Sequence, residues 1–224
     1  MTLTKQELRR RIRAARAARG SAQRQADAAA LLATARESGL LRGFRGLPVG
    51  EGADPLGPSG SARRVRPITV AAYVAAAGEP DVGRIRSAVR GAGGTVLLPV
   101  PGSGGTLDWT VDEGAYRPHD RLPVPVPHGE PIGTGAAALV AHGTDLVLAP
   151  ALAVDGSGAR LGQGGGFYDR LLADLAGRML VVAVVHDDEV LAAGVVPREE
   201  HDKPVDAALT PKRLVWFPDV TGVG

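Results

Sequence analysis

Four glycines fill five consecutive positions in Gly162-Gln163-Gly164-Gly165-Gly166, and Phe167-Tyr168-Asp169-Arg170 follows directly. Without a Cβ the backbone can approach a ligand closely, and successive amides just ahead of a helix form a nest for an anion, phosphate above all. Arg160 adds a guanidinium fork suited to phosphate oxygens, and Asp169 adds a carboxylate for Mg²⁺. The Phe167-Tyr168 pair offers a flat apolar face to a ring system. A glycine cluster is also what an unliganded turn looks like, but nest, fork and carboxylate together describe a site for a nucleoside triphosphate. Two better-known loops are excluded. The sixth position counted from Gly162 is Phe167, which breaks the dinucleotide fingerprint, and none of Lys5, Lys203 and Lys212 is followed by the Ser or Thr of a P-loop.

The elements that must position these residues read as alternating strands and helices. Thr4 and Glu7 form a capping box, and Leu8, Ile12 and Ala15 place a thin apolar stripe on a helix over Thr4 to Arg19, with Arg9, Arg10, Arg13 and Arg16 around it. Ser21 caps a second helix that stops near Gly39. Gly43 to Arg66 is rich in Gly, Pro, Ser and Arg and reads as a loop insertion. Strand, helix and strand then follow at Ile68 to Ala72, Asp81 to Arg90 and Thr95 to Leu98. Pro99 to Pro131 is either a hairpin or an irregular loop, and Trp109 within it is either core packing or a lid. Gly135 to Ala141 is a short helix; a strand at Leu146 to Ala149, the glycine loop, a helix from Tyr168 to Ala176 and a strand at Leu180 to Val185 make a second strand-helix-strand unit. Such continuous apolar strands imply an α/β fold with a mostly parallel sheet and helices on either side.

Composition narrows the class. The 224 residues are 44% hydrophobic and 22% charged, within the range of ordinary globular chains. Cysteine is lacking, which excludes disulfides, thiolate zinc sites and cysteine nucleophiles. A net charge of +2 and only 4% aromatics give nucleic-acid bases few rings to stack on. The longest apolar runs, Leu146 to Val154 and Met179 to Val185, are too short to span a bilayer. The expected location is cytoplasmic, with no membrane or nucleic-acid partner.

The run Arg160-Leu-Gly-Gln-Gly-Gly-Gly-Phe-Tyr-Asp169-Arg170, preceded by Pro150-Ala-Leu-Ala-Val-Asp155, closely resembles the signature of the 5-formyltetrahydrofolate cyclo-ligase family. The resemblance extends to Lys5-Gln-Glu-Leu-Arg9, Tyr73 to Glu79, Glu130-Pro131, and a closing motif with Pro197, His201-Asp202 and Val205-Asp206. It covers nearly the whole chain apart from the insertion, so it implies one α/β domain over 1–224, a three-layer α/β/α fold with a Gly/Pro-rich loop insertion at about 43–66.

The resemblance also implies an activity: ATP- and Mg²⁺-dependent conversion of 5-formyltetrahydrofolate to 5,10-methenyltetrahydrofolate, with release of ADP and phosphate. Phosphorylating the formyl oxygen makes it a leaving group that N10 of the folate can displace, and no protein nucleophile is needed. Catalytic roles fall to Arg160 and Asp169. Lys5, Gln6, Glu7, Leu8 and Arg9, with Arg160, Leu161, Gly162, Gln163, Gly164, Gly165, Gly166, Phe167 and Tyr168, would contact ATP. Val74, Glu79 and Gln163 to Phe167 would contact the folate, and Asp169 and Asp202 would bind Mg²⁺. A monomer acting on a small-molecule folate, with or without a polyglutamate tail, is expected.

Chain-specific features hold two other readings open. Gln163, Phe167 and Val82 replace residues usual in that family, which suits a member that binds folate or nucleotide with little or no turnover. The arginines between Arg9 and Arg24 suit a basic arm that docks on RNA. Lys5 and Arg9 also read as a solvated helix face, and Glu79 as a cap for the helix near Asp81.

Overall fold

The computed structural model describes residues 3–41, 67–118, 124–175, 177–199 and 202–218. The loop insertion expected at about 43–66 and His201 lie outside the described residues.

Helix α1 (Lys5–Ala17) starts where its capping box predicts: Thr4 Oγ1 accepts from the Glu7 amide at 3.2 Å, and Glu7 Oε2 accepts from the Thr4 amide at 2.9 Å. In α2 (Ser21–Glu37), Ser21 is the first helical residue rather than the cap; that position falls to Gly20, which has no side chain to offer. Strand β1 (Thr69–Ala71), helix α3 (Gly83–Gly91) and strand β2 (Thr95–Pro101) follow. The helix starts later than Asp81 because Asp81 Oδ1 accepts from the Gly83 amide at 2.8 Å in a turn that precedes it.

The excursion after β2 does hold a hairpin, since β3 (Leu107–Val111) returns antiparallel to β2. Trp109 is fully buried there and donates its Nε1 hydrogen to the Gly135 carbonyl at 3.1 Å, so it is core rather than lid. A ribbon of β4 (Tyr116–Arg117) and β5 (Val126–Pro127) and a short β6 (Gly133–Thr134) lead into α4 (Gly135–Ala141) and β7 (Leu146–Pro150). Next come β8 (Ala153–Asp155), β9 (Arg160–Leu161), α5 (Phe167–Leu175) and β10 (Leu180–Val184). The chain closes with β11 (Val190–Leu191), β12 (Ala207–Leu209) and β13 (Leu214–Trp216).

The central sheet has eight strands in the order β13-β12-β10-β7-β1-β2-β3-β6. β12, β10, β7, β1 and β2 are parallel, and β13, β3 and β6 are antiparallel additions at the edges. Alternate residues along each strand enter opposite layers. Val147, Ala149, Val181 and Ala183 pack with Leu139 of α4 and Leu171, Leu172 and Leu175 of α5. Leu146, Leu148, Val182 and Val184 pack with Leu31 of α2 and Ile85 and Val89 of α3. These are the three layers of an α/β/α fold. Helix α1 stands outside them: its Leu8 and Ile12 pack on the small sheet β11-β8-β9, against Leu152, Ala159 and Leu161.

Candidate functional site

From β1 the chain moves outward to β2, then returns across the sheet to place β7 and β10 on the other side of β1. Where the strand order reverses, the loops leaving the carboxyl ends of β1 and β7 diverge and open a crevice, the usual ligand position in such sheets. Both loops carry candidates read from the sequence: Val74 and Glu79 follow β1, and Arg160 to Phe167 follow β7 by way of the β8–β9 hairpin. A cleft of about 840 Å³ opens here, lined by Arg13, Arg16, Val74, Glu79, Leu152 and Gln163. It adjoins a second cleft of about 830 Å³ that shares Val74 and the segment up to Glu79 and runs on to Arg84, Arg86 and His186.

Guanidinium groups from two helices hold the glycine loop. Arg9 Nε donates to the Gly162 carbonyl at 2.9 Å and Arg13 Nη2 to the Gln163 carbonyl at 2.9 Å. Arg170 Nη2 donates to the Gly165 carbonyl at 3.3 Å and is itself anchored on the Gly105 carbonyl at 2.8 Å. Every peptide bond among the described residues is trans, so each N–H that follows such a carbonyl points the opposite way. The amides of Gln163, Gly164 and Gly166 are thereby turned from the arginines, next to the first turn of α5 with its own unpaired N–H groups. Glycine is required at position 166, where φ is +71° and an added Cβ would lie 2.8 Å from Arg170 Nη1.

Arg160 is buried, 3% of its side chain being exposed, and bridges the two ends of this segment. Its Nη1 donates to the Pro150 carbonyl at 3.1 Å, and its Nη2 pairs with Asp169 Oδ1 in a short contact. Its guanidinium lies 5.9 Å from the centre of the Tyr168 ring. Arg160 Nε and the Tyr168 hydroxyl are both buried donors without a partner among the described residues. Desolvation, reinforced by the charge of Glu79, holds the Tyr168 hydroxyl well above the ordinary phenol range, so it stays a donor.

Of the other candidates, Glu79 joins the glycine loop through Gln163, while Lys5 and Asp202 pair with each other. Lys5 Nζ contacts Asp202 Oδ2 at 2.7 Å and Glu199 Oε1 at 2.8 Å, so it is not a solvated helix charge. Burial alone would lower its pKa, but the hydrogen bonds to Asp202 and Glu199 outweigh this and hold it above the ordinary lysine value. Glu79 does not cap α3: its Oε2 accepts from the Ala76 amide at 2.9 Å and its Oε1 from Gln163 Nε2 at 2.9 Å. Gln163 Oε1 in turn accepts from Arg13 Nη2 at 3.0 Å, so an unbroken chain of bonds runs from α1 through the glycine loop to the loop after β1. Gln6 and Glu7 stay exposed on the outer side of α1, while Leu8 lies in its core contact. The sequence reading omitted Arg13 and Arg170 as site residues. Arg13 lies one helical turn beyond Arg9, a spacing that would have found it, whereas the Arg170 anchor on Gly105 has no sequence signal.

Fold and site define an α/β enzyme with a basic glycine loop at the switch point of a mostly parallel sheet, beside a cleft edged by the Glu79 carboxylate. Residues 63–211 match the model of the 5-formyltetrahydrofolate cyclo-ligase family. The chain is 39% identical to the 5-formyltetrahydrofolate cyclo-ligase of Mycolicibacterium smegmatis, over 78% of this chain and 91% of that protein. It is 34% identical to the enzyme of that name from Escherichia coli, over 66% and 80% of the two chains. The fold matches the Aquifex aeolicus 5,10-methenyltetrahydrofolate synthetase with a TM-score of 0.70 at 22% identity, covering 99% of this chain and 97% of that one. A synthetase of the same name from Mycoplasma pneumoniae matches with a TM-score of 0.63 at 15% identity, covering 94% of this chain and 100% of that one. This chain belongs to the 5-formyltetrahydrofolate cyclo-ligase family.

Proposed function

We propose that this protein converts 5-formyltetrahydrofolate to 5,10-methenyltetrahydrofolate at the expense of ATP, with Mg²⁺, releasing ADP and phosphate. The observation that carries this reading is the glycine loop itself: its carbonyls are held by Arg9, Arg13 and Arg170, which leaves its amides free to meet an anion next to Arg160. A bound triphosphate would supply the phosphoryl group that makes the formyl oxygen a leaving group. This chain's part is positioning and charge neutralisation, which suffices for phosphoryl transfer.

The residues fit that substrate. Arg160 Nε and the Tyr168 hydroxyl are orphaned buried donors, and such groups ordinarily have partners. Lys5 and Arg9 add positive charge along α1, and Phe167 and Tyr168 add a ring face. The donor set also suits Mg²⁺. No group of three or more metal-binding side chains occurs among the described residues, but Mg²⁺ commonly takes one or two carboxylates and completes its shell with substrate phosphates and water. Asp169 and Asp202 would be those carboxylates. Val74 and Glu79 would hold the pterin end of the folate in the larger cleft, with Glu79 accepting from ring N–H groups once Gln163 yields. N10 of the folate then attacks a carbon already held beside it, and no protein nucleophile takes part.

Mixing the protein with 5-formyltetrahydrofolate, ATP and Mg²⁺ and following the near-ultraviolet absorbance of the methenyl product tests the reading. Absorbance that grows only with ATP supports it. Folded protein that gives no product refutes it and leaves a folate- or nucleotide-binding role. The RNA reading rests on the arginines from Arg9 to Arg24, of which Arg9, Arg13 and Arg16 are engaged by Gly162, Gln163 and Glu189 of this same chain. A monomeric, cytoplasmic protein with no nucleic-acid or membrane partner completes the proposal; no helix among the described residues is long and apolar enough to cross a membrane.

A further inference from the structure

Arg16, which lines the cleft, and Glu189 form an ion pair in the interior. Their side chains are 4% and 3% exposed. The pair is bidentate, Arg16 Nε to Glu189 Oε1 at 2.8 Å and Nη2 to Oε2 at 2.8 Å. Arg16 Nη2 also donates to the Ala151 carbonyl at 2.6 Å, immediately beyond β7. Glu189 Oε2 accepts from the His186 amide at 2.8 Å, immediately beyond β10. A single buried pair therefore fastens α1 to the carboxyl ends of two neighbouring strands.

The same pair underlies the loop that carries Glu79. Gly78 has φ +83°, and a Cβ built on it would lie 3.2 Å from Arg16 Cβ, so the loop backbone rests directly on this arginine. His186 Nε2 is 3.4 Å from the Gly78 carbonyl on the other side. Arg16 follows Arg9 and Arg13 on one helix, so its depth and direction determine where those two meet the carbonyls of the glycine loop. Stability alone does not explain the pair. A buried ion pair replaced by apolar residues of similar volume commonly loses nothing, and Arg16 Nη1 is left buried without a hydrogen bond among the described residues. What two parallel N–H···O bonds and a third to a fixed carbonyl add is direction.

We infer that Arg16 and Glu189 are positioning residues: they set α1, with Lys5, Arg9 and Arg13, and the loop at Gly78-Glu79 in one register, so that the triphosphate and folate parts of the site face each other. The inference rests on the cyclo-ligase reading for its substrates. It assigns neither residue contact with a reacting atom.

The test compares the wild-type protein with the apolar double variant Arg16→Met/Glu189→Leu and with Arg16→Lys, which keeps the charge and loses the fork. Thermal melting reports folding, titration with 5-formyltetrahydrofolate alone reports binding, and the ATP-dependent assay gives KM for each substrate and kcat. The double variant is expected to melt near the wild type. Its folate affinity should fall about 10-fold, KM should rise for both substrates, and kcat/KM should fall at least 30-fold. Arg16→Lys should show the same pattern at about one third of the size. A folded double variant with folate affinity and both KM values within twofold of wild type overturns the inference. Should the double variant not fold, Arg16→Lys decides alone, and unchanged affinity there overturns it too. Failure of the underlying reading looks different: the wild type itself gives no methenyl product, while the binding titration still compares the variants.

Discussion

Replacing Asp169 with Asn probes the triphosphate cradle more directly than any other single change, and the structure sets the size of two separate effects. The first is on stability. Arg160 is 3% exposed, and among the described residues its guanidinium is bonded to the Pro150 carbonyl and Asp169 alone. The amide oxygen of Asn still accepts a hydrogen bond but no longer neutralises the buried charge, so the cost is about 1.5–3 kcal/mol, the range for a hydrogen bond to a charged group. For a chain of this length each kcal/mol moves Tm by about 2–4 °C, which gives a fall of roughly 3–12 °C. The second effect is on turnover. On the proposed reading an anionic Mg²⁺ ligand is lost and Arg160 is no longer aimed, and removal of one electrostatic stabiliser of a developing charge typically costs about 10²–10³-fold in kcat. The measurement is product absorbance at saturating substrates across an Mg²⁺ titration, at a temperature well below the lowered Tm. Loss of turnover that added Mg²⁺ does not restore is expected. Full turnover with an unchanged Mg²⁺ dependence would show that Asp169 holds no metal and only buttresses Arg160.

Asp155 is fully buried; burial would raise its pKa, but hydrogen bonds from Ser157 Oγ at 2.6 Å, the Ser157 amide at 2.9 Å and the Val196 amide at 3.1 Å outweigh this and lower it. A lowered folded-state value contributes stability above the unfolded value of about 3.8 that is lost as pH falls through the folded one; Asp155→Asn should therefore show a lower urea midpoint than wild type at pH about 7, a gap that narrows as pH falls below the unfolded value. Gln163→Ala cuts the link between Arg13 and Glu79 and should change KM for the folate about 3- to 10-fold, the scale of one or two hydrogen bonds, with kcat nearly constant; an unchanged KM would show that the contact is incidental. Gly94→Ala brings a Cβ to 2.7 Å from the Ile68 carbonyl and from Val89 Cγ1, which should lower stability by about 1–3 kcal/mol and leave both KM values unchanged. A Tm equal to wild type would show that α3 and β1 separate easily.

What was legible in the sequence was local. The capping box placed the start of α1, the β-branched run at residues 180–184 placed a strand buried on both faces, and Arg160 and Asp169 lie near enough in sequence to be read as one unit. The β8–β9 hairpin was not legible, because strands of three and two residues leave no periodicity to detect. The N-cap of α2 was misplaced by one residue because Ser and Gly both suit that position. Partners brought from afar were the largest gap. A polar side chain at the right place on a helix looks the same whether it meets water or a carbonyl 153 residues away, as Arg9 does at Gly162. Arg16 and Glu189 were invisible for the same reason, since charged residues are presumed exposed until a fold pairs them.

The separation of α1 from its partners shapes how the protein comes into being. Lys5 meets Asp202 across 197 residues, and Arg16 meets Glu189 across 173. At a synthesis rate of about 5–20 residues per second, on the order of 10–40 s pass between the making of Lys5 and that of Asp202. Until residues 152–163 are made, the nascent chain carries a basic amphipathic helix whose apolar stripe and first arginines have nothing to dock on. The last parallel strand to be made, β12, must enter the sheet beside β10 before the core is whole. Catalytic competence in a synchronised translation reaction should therefore arrive as a single late step rather than grow with chain length.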